Sequence, residues 1–127
     1  MINNIFRLII ALLFSSSFAQ SISIISPNSS WKYLDNGSNQ ESTWNTTTFD
    51  DSTWQSGNGE FGYGDGDETT LINYGANASE KYITTYFRKS FSVNNPLDYT
   101  SLKLELIRDD GAIVYINGIE EIGRAHV

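Results

Sequence analysis

The chain has 127 residues, a formal net charge of −7, 39% hydrophobic and 13% aromatic residues, and no cysteine. That acidity disfavours nucleic acid and anionic membrane surfaces as partners, and the missing thiols exclude disulfides and thiolate metal sites. With seven Tyr, seven Phe, three Trp and only two Pro, the composition is that of a packed β-rich domain and not of a disordered chain.

Met1 to Arg7 carries one positive charge, Leu8 to Phe14 is an unbroken apolar run, and Ser17-Phe18-Ala19 places small residues ahead of Gln20. This three-part pattern predicts a secretory signal peptide over residues 1–19, cleaved after Ala19. A membrane-crossing helix needs about 20 apolar residues, so no stable membrane insertion is expected after cleavage. The mature chain is expected outside the cell or on its surface. From Gln20 onward there is room for one small domain.

Ser21 to Ser26 alternates serine and isoleucine before Pro27, which predicts a short edge strand. Trp31 to Leu34 is a second short apolar segment, and Asp35 to Ser42 consists of turn formers. Trp44 to Trp54 fits neither the helical nor the strand period. It reads as an irregular loop pinned by its aromatics, with Asp50 or Asp51 accepting backbone N–H groups of its own turn. Gly57 to Asp67 is glycine-rich and reads as one long loop. Tyr82 to Val93 alternates, with Ile83, Thr85, Phe87, Phe91 and Val93 on one face, and Lys89 on that apolar face marks a bulge or the strand's exit from the core. After the break at Asn94-Asn95-Pro96, Leu102, Leu104 and Leu106 alternate with Lys103 and Glu105, the period-two pattern of a sheet with one wet face.

Asp109 to Gly118 is a β-branched and aromatic run between Asp-Gly and Asn-Gly, the dipeptides of two-residue hairpin turns. Ile113 to Ile116 is apolar on both faces and is expected in a central strand. The hairpin's second arm is expected to be lost, because residues 121–127 resemble a translated sequencing adapter and are set aside as a non-native tail. That tail holds His126, the one histidine of the chain, so its exclusion removes imidazole bases and ligands from consideration.

Trp44, the string Phe49-Asp50-Asp51-Ser52-Thr53-Trp54, the strand Tyr86-Phe87-Arg88-Lys89-Ser90-Phe91 and the run from Asp109-Asp110-Gly111 to Asn117-Gly118 occur in one order. Together they resemble the galactose-binding-like jelly-roll domains, as in the N-terminal sugar-binding sandwich of family-two glycoside hydrolases. With Gly62 to Glu68 and Lys81 to Tyr86, the set is similar to a domain of large exported proteins of Bacteroidetes-type bacteria. The resemblance implies an all-β jelly-roll β-sandwich over residues 20–120, truncated at its C-terminal strands, since such domains continue beyond the Asn-Gly turn. In such proteins the module accompanies catalytic, lamin-tail or sorting domains, and several jelly rolls of this superfamily carry a structural calcium.

Tyr63 and Tyr74, flanked by glycine and polar residues, and Trp31 are the candidate platform for a glycan, because an aromatic face stacks on the apolar side of a sugar ring. Trp44 and Trp54 are expected in the core. Asp65, Asp67 and Glu68, joined by Asp50, Asp51 or a loop carbonyl, are candidate oxygen ligands for Ca²⁺, although the spacing is not that of an EF-hand. Asp109 and Asp110 are too close in sequence for the paired carboxylates of glycoside hydrolysis. One is expected to cap the hairpin and the other to pair with Arg88 or Arg108. No nucleophile elbow or phosphate-cradling loop is present in the sequence. The expected function is that of a non-catalytic exported module that recognises carbohydrate or a surface, or packs on a downstream domain of the same protein. The alternatives are the N-terminal part of a secreted hydrolase, a metallophosphoesterase or glycosidase with its active site downstream, and a calcium-stabilised adhesin module.

Overall fold

The computed structural model describes residues 21–109 and 111–122. The predicted signal peptide, Asp110 and the tail from residue 123 lie outside the described residues. Among the described residues seven strands appear in chain order: β1 (Ser30–Leu34), β2 (Gln55–Asn58), β3 (Phe61–Gly62), β4 (Thr70–Leu71), β5 (Tyr86–Arg88), β6 (Val114–Ile116) and β7 (Ile119–Ile122), with one 3₁₀ turn at Pro96–Asp98. Among the described residues there is no α-helix, so the chain is β-rich as expected.

The frame is a three-stranded antiparallel sheet in the order β2-β1-β5. Its register pairs Tyr33 with Phe87 and Lys32 with Arg88. Because side chains alternate along a strand, Tyr33 and Phe87 share one face while Lys32, Arg88, Leu34 and Tyr86 share the other. Each face is covered by aromatics. Phe61 of β3 packs on the first, with its ring centroid 5.4 Å from Tyr33 and 4.9 Å from Phe87. The loop from Trp44 to Trp54 packs on the second, with Trp44 5.0 Å and Trp54 6.2 Å from Tyr86, and Phe49 edge-on to Trp54 at 5.5 Å. Tyr33 and Trp54 are the buried hydrophobic residues at the centre of these two layers.

Cations of the sheet secure the aromatic loop through its backbone. Arg88 donates to the Asp51 carboxylate at 2.8 Å and to the carbonyls of Trp44 and Thr46, while Lys32 Nζ donates to the Trp54 carbonyl at 3.2 Å. Arg88 therefore has Asp51 as its carboxylate partner; the expected pairing of Asp109 or Asp110 with Arg88 or Arg108 turns in part on Asp110, which lies outside the described residues. Asp50 accepts the Ser52 N–H at 3.0 Å, the local turn expected of this loop.

The hairpin β6-β7 corrects one expectation, since its return arm is formed. Ile116 pairs with Ile119, Tyr115 with Glu120 and Val114 with Ile122, with an irregularity between Val114 and Tyr115. Asn117 (φ 52°) and Gly118 (φ 82°) both occupy the left-handed region, as a two-residue I′ turn requires. Ile113 to Ile116 is not a central strand, because β6 has β7 as its one neighbour among the described residues. Trp44 joins this hairpin to the main sheet by an edge-on contact with Tyr115 at 5.6 Å.

Three predicted strands are shorter or absent. Ser21 to Ser26 forms none, and the chain turns at Ser26 to Ser29 before β1 begins. Only Tyr86–Arg88 of the run from Tyr82 to Val93 joins the sheet, because β1 offers it partners from Leu34 back to Lys32. Ile83 is then fully exposed and Phe91 is 42% exposed. Lys89 lies just past the strand end and donates to the Ser30 carbonyl at 2.8 Å, so the exit reading holds. Residues 101–109 lie in no strand among the described residues, and Leu102, Leu104 and Leu106 are exposed. The glycine-rich stretch is divided in turn: its start belongs to β2 and its centre to β3, leaving Tyr63 to Thr69 as the loop proper.

Candidate functional site

The site is built on the short parallel pair β3-β4, in which Phe61 faces Thr70 and Gly62 faces Leu71. The Ile72 N–H donates to the Gly62 carbonyl at 3.0 Å, so the two chains leave the pair side by side. Tyr63 and Tyr74 follow directly, with ring centroids 4.7 Å apart and planes inclined at 54°. Lys81 Nζ lies 4.5 Å from the Tyr63 ring and 5.5 Å from the Tyr74 ring. A cation held over two electron-rich faces is favourable and fixes both rings.

A buried carboxylate positions the second tyrosine. Asp35, just past β1, accepts the Gln55 side-chain amide at 3.0 Å with one oxygen and the Asn73 N–H at 2.6 Å with the other. Asn73 in turn accepts the Gly75 N–H at 2.9 Å, so the Asn73-Tyr74-Gly75 turn hangs from Asp35. Tyr33 completes this set by donating to Gln55 Oε1 at 3.2 Å. Burial foremost, and then the Asp35 charge, raise the Tyr33 phenol above its ordinary value.

Beside the tyrosine pair runs an open groove of about 510 Å³, lined by Gly37, Ser38, Asn39, Lys81, Tyr82, Ile83, Thr84 and Tyr86. Tyr82 forms its floor by lying across two glycines of positive φ. A Cβ at Gly37 would stand 2.5 Å, and one at Gly75 3.1 Å, from the Tyr82 ring. The Tyr82 N–H donates to the Tyr74 carbonyl at 2.9 Å, which ties the groove to the tyrosine pair. Lys81 belongs to both. The sequence pattern marks neither Lys81 nor Tyr82 as a site residue, since Tyr82 opens the alternating run and Lys81 directly precedes it.

Trp31 does not join this constellation. It lines a separate cleft of about 250 Å³ with Ser30, Lys32, Asp51, Ser56, Arg88, Lys89 and Ser90, and Lys89 Nζ stands 5.9 Å from its ring. Trp54 is buried and Trp44 half-buried, in the packing roles expected of them.

Asp65, Asp67 and Glu68 do come together, each offering a carboxylate oxygen within 4.8 Å of the others. Ca²⁺–O bonds of 2.3–2.6 Å place opposed ligands about 5 Å apart, so three oxygens this close fit around one ion. The group is also held by its own backbone. Glu68 accepts the Asp65 and Gly66 N–H groups at 2.9 Å each, and such bonds, led by that from Asp65, hold its carboxyl below the ordinary value. Asp50 and Asp51 are engaged instead by Ser52 and Arg88.

Comparison with protein-family models, with curated proteins and with solved structures finds no match to this chain.

Proposed function

We propose that the chain is an exported, non-catalytic recognition module of galactose-binding-like jelly-roll descent, and that its ligand is a carbohydrate bound along the Tyr82 groove and against the Tyr63–Tyr74 pair. One observation carries the reading: Lys81 is shared between two apposed tyrosine rings and a groove of ligand-like volume lined by hydroxyl and amide side chains. Saccharides are recognised by that combination, an aromatic face for the C–H side of the ring and polar groups for its hydroxyls. The fold assignment is supported by the way its motifs meet, since Trp44 touches Tyr86 of one motif and Tyr115 of another.

A glycan array followed by calorimetric titration of any hit tests the reading. Binding that disappears in Tyr63→Ala supports it. A blank array, or a hit insensitive to Tyr63 and Tyr82, rejects it in favour of a purely structural module.

The acidic loop favours a second, compatible reading, a stabilising calcium held by Asp65, Asp67 and Glu68. Its support is the close approach of three carboxylate oxygens in a loop turned by Gly64 and Gly66, both of positive φ.

A further inference from the structure

The segment from Ser101 to Ile107 combines features that no element of the described fold uses. It lies in no sheet among the described residues, yet it alternates as a strand does. Leu102 is 63%, Leu104 45%, Leu106 49% and Ile107 87% exposed. Lys103 Nζ and a Glu105 oxygen form an ion pair at 2.5 Å with both side chains largely in solvent. Side chains two apart share a strand face, so the ion pair puts the two charges on one side of the segment and the leucines on the other.

The order Leu102-Lys103-Leu104-Glu105-Leu106 is self-complementary when read antiparallel. With Leu104 set opposite Leu104 of a second copy, Lys103 falls opposite Glu105, Glu105 opposite Lys103, and Leu102 opposite Leu106. Each of these five positions then meets a suitable partner. Opposite charges and apolar pairs directly across an antiparallel ladder are stabilising, whereas like charges there are destabilising. The arrangement is isologous, with a twofold axis at Leu104, the commonest way for identical chains to close an assembly.

We propose that residues 101–107 form the interface of a homodimer, two copies pairing antiparallel about Leu104 so that their exposed, unpaired segments become one ladder. The occupant of this face is a second copy because the charge order matches itself in one register. Displacement by one residue would set leucine against charge and reverse the faces. The inference is independent of the carbohydrate reading.

A charge-reversal cycle on the full chain tests it by sedimentation equilibrium. Lys103→Glu alone and Glu105→Lys alone each place two like-charged pairs across the dyad and should weaken dimerisation about tenfold. Lys103→Glu combined with Glu105→Lys should restore it, and an equimolar mixture of the two single variants should form a heterodimer. These side chains are exposed, so unchanged melting of the variants keeps the comparison clean. Hydrogen exchange should show amides 101–107 protected only at concentrations where the dimer forms. A wild-type chain that remains monomeric overturns the proposal. An assembly indifferent to the single reversals also overturns it, as does concentration-independent protection of 101–107, which would mean that another part of the same chain covers the segment.

Discussion

Arg88 on β5 donates through Nε to the Asp51 carboxylate at 2.8 Å, and the same guanidinium reaches the carbonyls of Trp44 and Thr46. One planar fork thus secures both ends of the segment that covers the sheet, with Phe49 stacked 5.1 Å from it. Both partners are partly shielded from solvent, at 14% and 29% side-chain exposure. Lysine offers a point charge in place of the fork, so Arg88→Lys should destabilise by about 2 kcal/mol, and Arg88→Ala by about 3 kcal/mol. Asp51→Asn, which leaves the carbonyl contacts in place, should cost about 1 kcal/mol. Urea melts followed by tryptophan fluorescence would rank the three, and a larger loss in Asp51→Asn than in Arg88→Lys would refute the fork's primacy.

Asp35 is the buried polar residue on which the Tyr74 turn depends. Asp35→Ala removes the acceptor of the part-buried bonds from the Asn73 N–H and the Gln55 amide, and because both donors belong to exposed residues that water can reach, the loss should be about 1 kcal/mol, that of an ordinary hydrogen bond. Asp35→Asn retains one acceptor oxygen and should recover roughly half of the loss. The turn should loosen as well as the core, seen as faster hydrogen exchange at Asn73 and Gly75. Equal stability of Asp35→Ala and the parent chain would show that the network is dispensable.

What could be read in advance, and what could not, divides by range. The Asn117-Gly118 turn and the Asp50 turn are local chemistry, decided by residues within two positions of each other, and both appear as expected. Asp65, Asp67 and Glu68 could likewise be grouped in advance, as neighbours in one glycine-rich loop, whereas the apposition of the Tyr63 and Tyr74 rings comes from two different loops and had no local sign. Strand extent was not, since Tyr82 to Val93 has strand character throughout but β1 supplies partners for only Tyr86 to Arg88. Asp35 looked like one turn former among several, and its role comes from Gln55 and Asn73, 20 and 38 positions away. Nothing local marks Tyr82 as a groove floor either, as its two supporting glycines lie in different loops.

Alkaline pH should act through Tyr33. Its folded-state value is raised above the ordinary 10.0, by burial first and by Asp35 second. The folded state therefore holds the proton more tightly than the unfolded state. Stability from this group is complete below pH 10 and is lost as the pH rises from there through the folded-state value. Tyr33→Phe should flatten the fall in melting temperature above pH 10 while also removing the bond to Gln55 at lower pH. An alkaline profile parallel to that of the parent would contradict the assignment.

For the ligand groove, Tyr82→Ala removes the floor and Lys81→Met removes the charge that holds Tyr63 and Tyr74. An aromatic platform contributes about 1–3 kcal/mol to a stacked ring, by the apolar area it buries, so affinity for an array-identified glycan should fall roughly tenfold to a hundredfold in Tyr82→Ala. Lys81→Met should reduce it less if the lysine only orders the rings, worth about 0.5–1 kcal/mol at an exposed site. Trp31→Ala should leave that affinity unchanged, since Trp31 belongs to the other cleft. Sensitivity to Trp31 in place of Tyr82 would relocate the site.

Calcium and acid should oppose one another at the Asp65–Glu68 loop. The Glu68 carboxyl is held below its ordinary 4.5 chiefly by the Asp65 N–H, with the Gly66 N–H adding to it. A depressed folded-state value means that the group's contribution is present above pH 4.5 and disappears as the pH falls through the folded-state value. Glu68→Gln should therefore weaken the response of the loop to acid, read as the chemical shifts of the Asp65 and Gly66 amides between pH 5 and pH 2. The same substitution takes away one hard oxygen ligand, so the rise in melting temperature on adding calcium should shrink in Glu68→Gln and vanish in Asp65→Asn combined with Asp67→Asn. Magnesium, which demands tighter octahedral geometry than a flexible loop supplies, should substitute poorly. A parent chain whose melting temperature ignores millimolar calcium would remove the ion from the account and leave the three carboxylates as a loop braced by its own N–H groups.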